Sequence, residues 1–483
     1  MTIILSILFP LLCGTSMLLI KKLNNRNARM GITVGMEIIQ TIFALMVVFS
    51  KESSTGSFEF AKGFSLSFNS DITAKLFCII VSIAWLLVTI YATVYMKHEK
   101  NEERFFLFSF LTQGAMLGAI FSSNLVSMYL FFELVTIFSA PLVLHSLSKE
   151  AISAAKKYLY YSIAGAFLAL FGIFVLATNA SSLNFIAGGT VTEVTPLVLV
   201  GVFCMCIGFG AKAGLFPLHG WLPTAHPVAP APASALLSGI IAKIGVLAII
   251  RTVFFTLGAK NLVGTWVQTT LLVLSLLTVL MGSMMAYREK IFKKRLAFST
   301  VSQISYVLVG LFLFTDTGFQ GALWQILFHA IVKVGLFLCA GTVIFLYGKT
   351  EVSDLSGMGK KMPVTFACFT VLSLSLIGIP PTGGFFSKWE LASASLSNSV
   401  IGSFSWVIPV ILLISALLTA GYLLPITIKG FWNESTHDDI KETKKEPKLM
   451  IIPLIILSSL ALLGGIFSQE TGEFLSTIAK SIF

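Results

Sequence analysis

Charge is what this chain has least of. Asp, Glu, Lys and Arg make up 11% of its 483 residues, where a soluble domain carries about 25%. Cysteine is sparse too: Cys13, Cys78, Cys204, Cys206, Cys339 and Cys368 all fall inside apolar runs. Cys204 and Cys206, the one close pair, stand two apart, which on a helix turns their side chains about 200° from each other. There is no CxxC and no Cys/His cluster, so an iron–sulfur or zinc site is not expected in this chain. Any redox chemistry connected with it belongs to another subunit.

Apolar length is what the chain has in excess. Hydrophobic residues make up 56%, in runs near or beyond the roughly 18 residues that cross a bilayer. The runs are continuous rather than alternating, which excludes a barrel and predicts an all-α polytopic membrane protein. About fourteen transmembrane helices are expected, near 3–20, 30–50, 74–96, 105–122, 124–145, 156–178, 195–216, 232–256, 265–286, 298–315, 319–347, 364–394, 402–428 and 449–467. The first run opens at Met1 without a basic region ahead of it and reads as a retained helix, not a removed signal.

The net charge of +11 would suit nucleic acid, but its distribution argues otherwise. With both termini outside, 23 of the 33 Lys and Arg residues fall in loops 21–29, 97–104, 149–157, 288–295, 349–361 and 429–448, all on one face. This is the positive-inside pattern of a multi-pass protein in the lipid bilayer of a prokaryotic cytoplasmic membrane, with no nucleic-acid partner. Six more, Arg251 among them, fall on the opposite face. The last four, Lys212, Lys243, Lys333 and Lys388, lie inside apolar spans. A lysine at mid-membrane costs roughly 2.5–3.5 kcal/mol on insertion scales and marks an ion path by default.

The stretch 205–245 holds two of these lysines. Lys212 precedes Pro217, where the missing backbone donor breaks the seventh span. Broken helices at membrane depth are tolerated only against protein or a water-filled cavity. A proline-rich connection carrying His219 and His226 follows; His226 is expected at the inner mouth, and either histidine could be a relay or an interfacial group. Lys243 then lies mid-helix among Ser238, Gly239, Ala242 and Gly245, too deep to snorkel.

Other polar residues fall into place around these. Glu37 reads as a snorkelling or interhelical hydrogen-bonding group, 51–71 as a short external hairpin, and His145 and His437 as solvated loop residues. Glu133, mid-way along the fifth span, needs a partner from another helix, and Lys212 two spans on is the natural one. Thr300, Ser302, Gln303, Ser305 and Tyr306 are suited to ordering water on a hydrophilic axis. His329 and Lys333, four apart, share one helix face and suit a relay in which one proton displaces another.

The twelfth span is interrupted by Pro380 and Pro381 with Gly383 and Gly384, and Lys388 and Glu390 follow. Two interrupted spans point to inverted repeats. Spans four to eight and nine to thirteen are five each, and an odd number inverts the second unit; Lys212 and Lys388 are then expected in corresponding roles. The implied divisions are 1–104, 105–257, 258–430 and 431–483.

The series FELVTIFSAPL, FGAKAGLFPLHGWLPTAHPVAPAPASALLSGIIAKIGV, KKRLAFSTVSQISYVLVGL, FHAIVKVGLFLCAG and IPPTGGFFSKWE resembles the antiporter-like subunits of respiratory complex I, energy-converting membrane-bound hydrogenases and Mrp-type cation/proton antiporters. The resemblance runs in order from about residue 105 to 430. It implies a fourteen-helix fold with two inverted five-helix repeats and a hydrophilic axis across mid-membrane. It also implies Glu133 paired with Lys212, Lys243 linking the halves, His329 or Lys333 in the eleventh span, and Lys388 at the end. The long lateral helix of the most distal complex I subunit is absent from this sequence. The tract HGWLPTAHPVAPAPASALLSG is more similar to complex I and hydrogenase subunits than to Mrp subunits.

The expected function is therefore H⁺ translocation, with Na⁺ as the alternative ion, by a membrane subunit with no chemistry of its own. A partner's redox reaction would shift the charge on Glu133, and a Glu–Lys pair about 4 Å apart exerts roughly 4 kcal/mol at an effective dielectric of 20. Losing that attraction would drive the Lys212 proton to Lys243, His329/Lys333 and Lys388. Expected partners are other membrane subunits and a peripheral redox arm holding iron–sulfur, nickel–iron or flavin centres. The rival reading is a subunit of an Mrp-type Na⁺/H⁺ antiporter.

Overall fold

Backbone amides and carbonyls in lipid have no water to bond, so an apolar chain crossing a bilayer closes its hydrogen bonds within helices. The computed structural model describes residues 1–61, 64–432 and 444–483; His437 lies outside them. It opens with α1 (Thr2–Ile20) and α2 (Arg26–Phe49), then β1 (Phe58–Ala61), β2 (Phe64–Leu66) and α3 (Ile72–Tyr95). Next come α4 (Glu102–Phe121), α5 (Leu125–Val143), α6 (Lys149–Asn179), α7 (Pro196–Ala213) and the short α8 (Leu222–Val228). The eighth span, Ala231–Leu257, is a composite of α9 (Ala231–Leu236), a π-helical turn (Leu237–Ile241), α10 (Lys243–Ile250) and a second π-helical stretch (Arg251–Leu257). The rest comprises α11 (Trp266–Arg288), α12 (Phe292–Phe312), α13 (Asp316–Tyr347), α14 (Met358–Lys361), α15 (Pro363–Ile377), α16 (Gly383–Leu396), α17 (Phe404–Trp432), α18 (Lys448–Ile466) and α19 (Ser468–Lys480).

Among the described residues, thirteen spans are long and apolar enough to cross a membrane. The remaining expected span, the twelfth (364–394), is divided into α15 and α16 by the proline pair. Starts are set by side chains that accept from the first free amides: Asn25, Asp71, Asn124, Ser148, Thr195, Thr265 and Thr315 each cap the helix that follows. α2, α3, α6 and α13 start ahead of the apolar runs 30–50, 74–96, 156–178 and 319–347 because their caps sit in the polar flanks.

Among the described residues, contacts tie the basic loops together on one face: Arg26 pairs with Glu102, Arg104 donates to the His145 carbonyl, Ile291 bridges Glu351, and the Gly357 amide donates to the Lys429 carbonyl. On the opposite face β1 and β2 pair antiparallel, with Phe58 opposite Leu66, as the alternation in 51–71 predicts. Bridges Phe68–Ser122, Asn124–Asn184 and Ala180–Val191 extend this small mat. The eighth span occupies the centre, every residue from 231 to 257 being buried, and α12 and α13 flank it. Side chains such as Leu12 (66% exposed), Phe167 (67%) and Leu417 (65%) form the apolar exterior.

α19 is not among the expected elements. It lies beyond the last span, buries Leu475, Ile478 and Ala479, and accepts from Gln320 Nε2 at the Gly472 carbonyl. Phe483 then sets its ring against Phe254 and Phe319.

Candidate functional site

Both expected helix breaks form, and they share a local plan. α7 ends at Gly214 (φ 81°) and α15 at Gly378 (φ 92°), left-handed caps that favour glycine. Pro217 and Pro381 follow three residues after each, both in cis peptide bonds. The breaks differ in what caps the exposed carbonyls. At the first, Trp221 Nε1 donates to the Ala211 carbonyl at 2.8 Å. At the second, the Lys388 ammonium donates to the carbonyls of Leu376 and, at 2.6 Å, Ile377. A cation there also meets the negative end of the helix dipole. Lys388 and Lys212 are thus not in equivalent places: Lys212 is five residues ahead of its proline, and Lys388 seven beyond its own.

Lys212 is buried and donates to the hydroxyls of Thr136 on α5 and Tyr158 on α6. Its ammonium also stands 4.9 Å from the centre of the Phe132 ring. Among the described residues no carboxylate lies within ion-pair distance of it. The expected Glu133–Lys212 contact is therefore not made. Thr136, one helical turn beyond Glu133, takes the ammonium instead, and Glu133 keeps a buried Oε1 without a bonding partner.

Lys243 follows directly on the first π-helical turn, and its ammonium donates to the Ser238 carbonyl at 2.9 Å. Ser238 in turn shares a hydrogen bond of 2.6 Å with Thr300 of α12. Single π turns often mark functional sites because they re-aim backbone groups. Lys333 donates to the Leu296 carbonyl and to Ser299, on the same helix as Thr300. His329, one turn from Lys333, is buried with both ring nitrogens unbonded. It sits within electrostatic reach of Lys243, Lys333 and Lys388 together.

The hydroxyl and amide face of α12 continues the line. Gln325 donates to Gln303 at 2.9 Å and accepts from Ser387 at 2.6 Å, joining α12, α13 and α16 beside Lys388. Tyr306 places its ring 5.6 Å from the Lys388 ammonium. Among the described residues, lysines 212, 243, 333 and 388 thus meet hydroxyls, backbone carbonyls and aromatic faces and form no ion pair.

Several expectations need correction. His226 is fully buried, not at a mouth; it stacks on Phe337 at 4.8 Å with both nitrogens unbonded. The connection folds inward because Lys293, which reads as a loop cation, is itself buried and donates to the carbonyls of Pro227 and Ala229. A cavity of about 160 Å³ on the basic face is lined in part by Tyr95, Glu99, Ser146, Ala229 and Lys293, and by Pro227, the residue after His226. His145 is buried against Phe105 rather than solvated. Of the two roles expected for Glu37, the structure shows the interhelical hydrogen bond: it is fully buried and accepts from Gln113 of α4 at 2.7 Å. His219 is half-buried beside Phe216, and Glu390 half-buried on α16, neither joined to the central line by a hydrogen bond. Arg251, a residue expected on the outer face, is buried and forms a two-pronged pair with Asp71 at 2.5 and 2.8 Å. Thr136, Tyr158, Ser299, Gln325 and Ser387 belong to the site without any signal in the sequence, since isolated hydroxyls and amides are common in apolar helices.

Residues 122–419 match the family described as NADH:quinone oxidoreductase/Mrp antiporter, TM, and residues 58–106 match complex I chain 5 N-terminus. The chain belongs to the NADH:quinone oxidoreductase/Mrp antiporter family. The longer match contains Glu133, the lysines 212, 243, 333 and 388, both breaks and His329, so the polar line lies wholly within the family region. The NADH-quinone oxidoreductase subunit N of Desulforudis audaxviator is 31% identical, covering 81% of this chain and 80% of the relative. An Na(+)/H(+) antiporter subunit of Alkalihalophilus pseudofirmus is 28% identical, over 99% of this chain and 97% of its own. A chain of the membrane-bound sulfane sulfur reductase, an archaeal respiratory membrane complex, has the same fold, with a TM-score of 0.88 at 22% identity over 99% of this chain and 97% of that one.

Proposed function

We propose that this family member is the ion-translocating subunit of a multisubunit membrane complex, and that it moves protons along Glu133, Lys212, Lys243, His329, Lys333 and Lys388. The observation that carries the proposal is that the buried ammonium groups of Lys212, Lys243 and Lys333, the half-buried one of Lys388 and an unbonded imidazole run through the bundle with no carboxylate in ion-pair contact among the described residues. Buried charges held only by dipoles are costly, and a chain that retains several in series uses them. Each amine can take up and release a proton, and a proton arriving at one disfavours the charge on the next. Glu133 acts on Lys212 across the Thr136 turn rather than by direct contact. His226, with Lys293 and the cavity beside Glu99, suits uptake from the basic face, and His219 and Glu390 stay as side branches.

The similar break geometry, each in the fourth span of a five-span unit, supports two inverted repeats over 105–257 and 258–430, between the peripheral helices 1–104 and the terminal part 431–483. Both termini then lie outside a prokaryotic cytoplasmic membrane. The chain itself carries out no chemical reaction. The driving reaction belongs to a peripheral redox arm with iron–sulfur, nickel–iron or flavin centres, as in a complex I or hydrogenase type of assembly. A second reading, a subunit of a Na⁺/H⁺ antiporter complex without such an arm, draws support from the end-to-end similarity to the Alkalihalophilus pseudofirmus antiporter chain.

The test is to purify the chain with its partners in mild detergent, identify them by mass spectrometry, and measure acidification in vesicles. Redox-linked pumping that falls in Lys212→Met and Lys388→Met while electron transfer persists supports the first reading. Sodium-dependent pH change with only membrane partners supports the second. Unimpaired ion movement in both variants defeats the relay.

A further inference from the structure

A second cavity on the basic face, about 540 Å³, lies between the α11–α12 junction and α17, lined among others by Tyr287, Arg295, Ser353, Ser356, Gly421 and Lys429. Arg295 donates only to backbone, to the Glu289 carbonyl at 2.9 and 2.6 Å and to the Tyr422 carbonyl at 3.0 Å. The Glu289 carboxylate is occupied by Lys294 at 2.8 Å. Lys429 is exposed and pairs with no carboxylate among the described residues. Two carboxylates, Glu351 and Asp354, border the site where the Ser353 hydroxyl turns to them at 3.3 and 3.5 Å, so an anion would be held from the Arg295 and Lys429 side. A guanidinium satisfied by carbonyls alone keeps its full charge for such a ligand.

The other wall is apolar and opens outward. Gly421 is exposed on α17 in line with Leu413 (62%) and Leu417 (65%). A side chain at this glycine would press on the Tyr287 ring, its first carbon only 3.0 Å away, so the glycine keeps a narrow groove open. Tyr287 and Trp432 are exposed at the same end of the bundle, and such aromatics mark the level of lipid headgroups. Cations at the headgroup level joined to an apolar groove running into the membrane match one amphipathic ligand.

We propose that this cavity binds an anionic phospholipid, its phosphate between Arg295 and Lys429 and an acyl chain over Gly421. Basic pockets between membrane helices on a positively charged face recognise lipid headgroups in this way. A free phosphate would use the cations and leave the groove empty; an acidic segment of a neighbouring subunit would need no groove. The site also touches the polar line. Arg295 holds the Tyr422 backbone, and the Tyr422 phenol reaches Ser299, the hydroxyl to which Lys333 donates.

The experiment is native mass spectrometry of the intact complex titrated with phosphatidylglycerol or phosphatidylcholine, with inorganic phosphate as competitor. Wild type should retain phosphatidylglycerol in preference to phosphatidylcholine. Retention should fall about fivefold for each cation removed in Arg295→Gln and Lys429→Gln, and Arg295→Lys should restore it. Gly421→Leu should abolish retention with both cations present. Lys51→Gln, on the opposite face, should behave as wild type. Lys429 and Gly421 are surface positions, so these variants remain informative if Arg295→Gln fails to fold. Equal retention of phosphatidylglycerol by wild type and the Lys429 and Gly421 variants overturns the proposal. So does displacement by inorganic phosphate, or cross-linking of a Gly421→Cys variant to a neighbouring subunit instead of lipid protection.

Discussion

The Tyr158 hydroxyl lies 3.3 Å from the Lys212 ammonium and accepts a hydrogen bond from it, while sharing a bond of 2.7 Å with Ser139. Replacing Tyr158 by Phe removes one of two hydroxyls that hold the ammonium and keeps the ring under it. The expected result is a fold that survives, with ion movement in vesicles reduced about tenfold, the factor that a lost charge-assisted hydrogen bond of about 1.4 kcal/mol gives. A fully active Tyr158→Phe variant would show that Thr136 alone suffices.

His329 makes no hydrogen bond. A leucine in its place therefore breaks none, and a change of similar volume in a packed interior costs less than about 1.5 kcal/mol. His329→Leu should unfold within a few degrees of wild type but translocate ions poorly. If vesicle acidification is unaffected, the imidazole is a packing residue and the relay must run through Lys333 alone.

Asp71 stands outside the spans as the cap of α3, and Arg251 is buried against it. Burial works against the Asp71 charge, but the Arg251 guanidinium and the amides of Ala74 and Thr73 outweigh it and hold the carboxyl below the usual range. A carboxyl lowered by folding stabilises the fold above its unfolded value, near 3.9, and that contribution disappears as pH falls through the lower folded value. Asp71→Asn should lower stability by about 3–5 kcal/mol, since it strands a buried guanidinium. Its unfolding midpoint in detergent should also vary less with acid than that of wild type. Equal acid sensitivity would show that other carboxylates dominate.

Gly465 of α18 packs on the second break: a side-chain carbon there would come 1.8 Å from the Pro381 carbonyl oxygen. Gly465→Ala must push α18 away from the α15–α16 joint. Thermal unfolding several degrees earlier, together with weakened ion movement, is the expected outcome. An unshifted midpoint would mean that α18 is free to slide.

Much of this was legible because lipid is a strict solvent. Continuous apolar runs could only be helices, and lysines deep in them turned towards protein. Proline alone announced no break: Pro10, Pro141, Pro409, Pro425 and Pro453 lie inside helices that continue, whereas the spans divide where a glycine cap precedes the proline, at Gly214–Pro217 and Gly378–Pro381. What escaped the sequence was partnership. Glu133 and Lys212 look like a pair by charge, yet Thr136 and Tyr158, silent as isolated hydroxyls, hold the ammonium. Lys293 is written like its neighbours Lys294 and Arg295 but turns inward, because the carbonyls of Pro227 and Ala229 need a donor. Asp71 and Arg251 meet from 180 residues apart, beyond any local pattern. The π turns before Lys243 and from Arg251 have no proline to announce them. The apolar face of α19 was written in Leu475, Ile478 and Ala479, in a stretch too polar to read as a span.

The two helix joints are clamped by different chemistry, and the difference has a mechanical side. An indole carries no exchangeable charge, so the grip of Trp221 on α7 is constant. In the proposed relay the grip of Lys388 on α15 depends on its cargo: the bond to a carbonyl is roughly twice as strong from an ammonium as from a neutral amine. The first joint is a fixed hinge. The second is a latch that slackens whenever its proton leaves and tightens when the next one arrives.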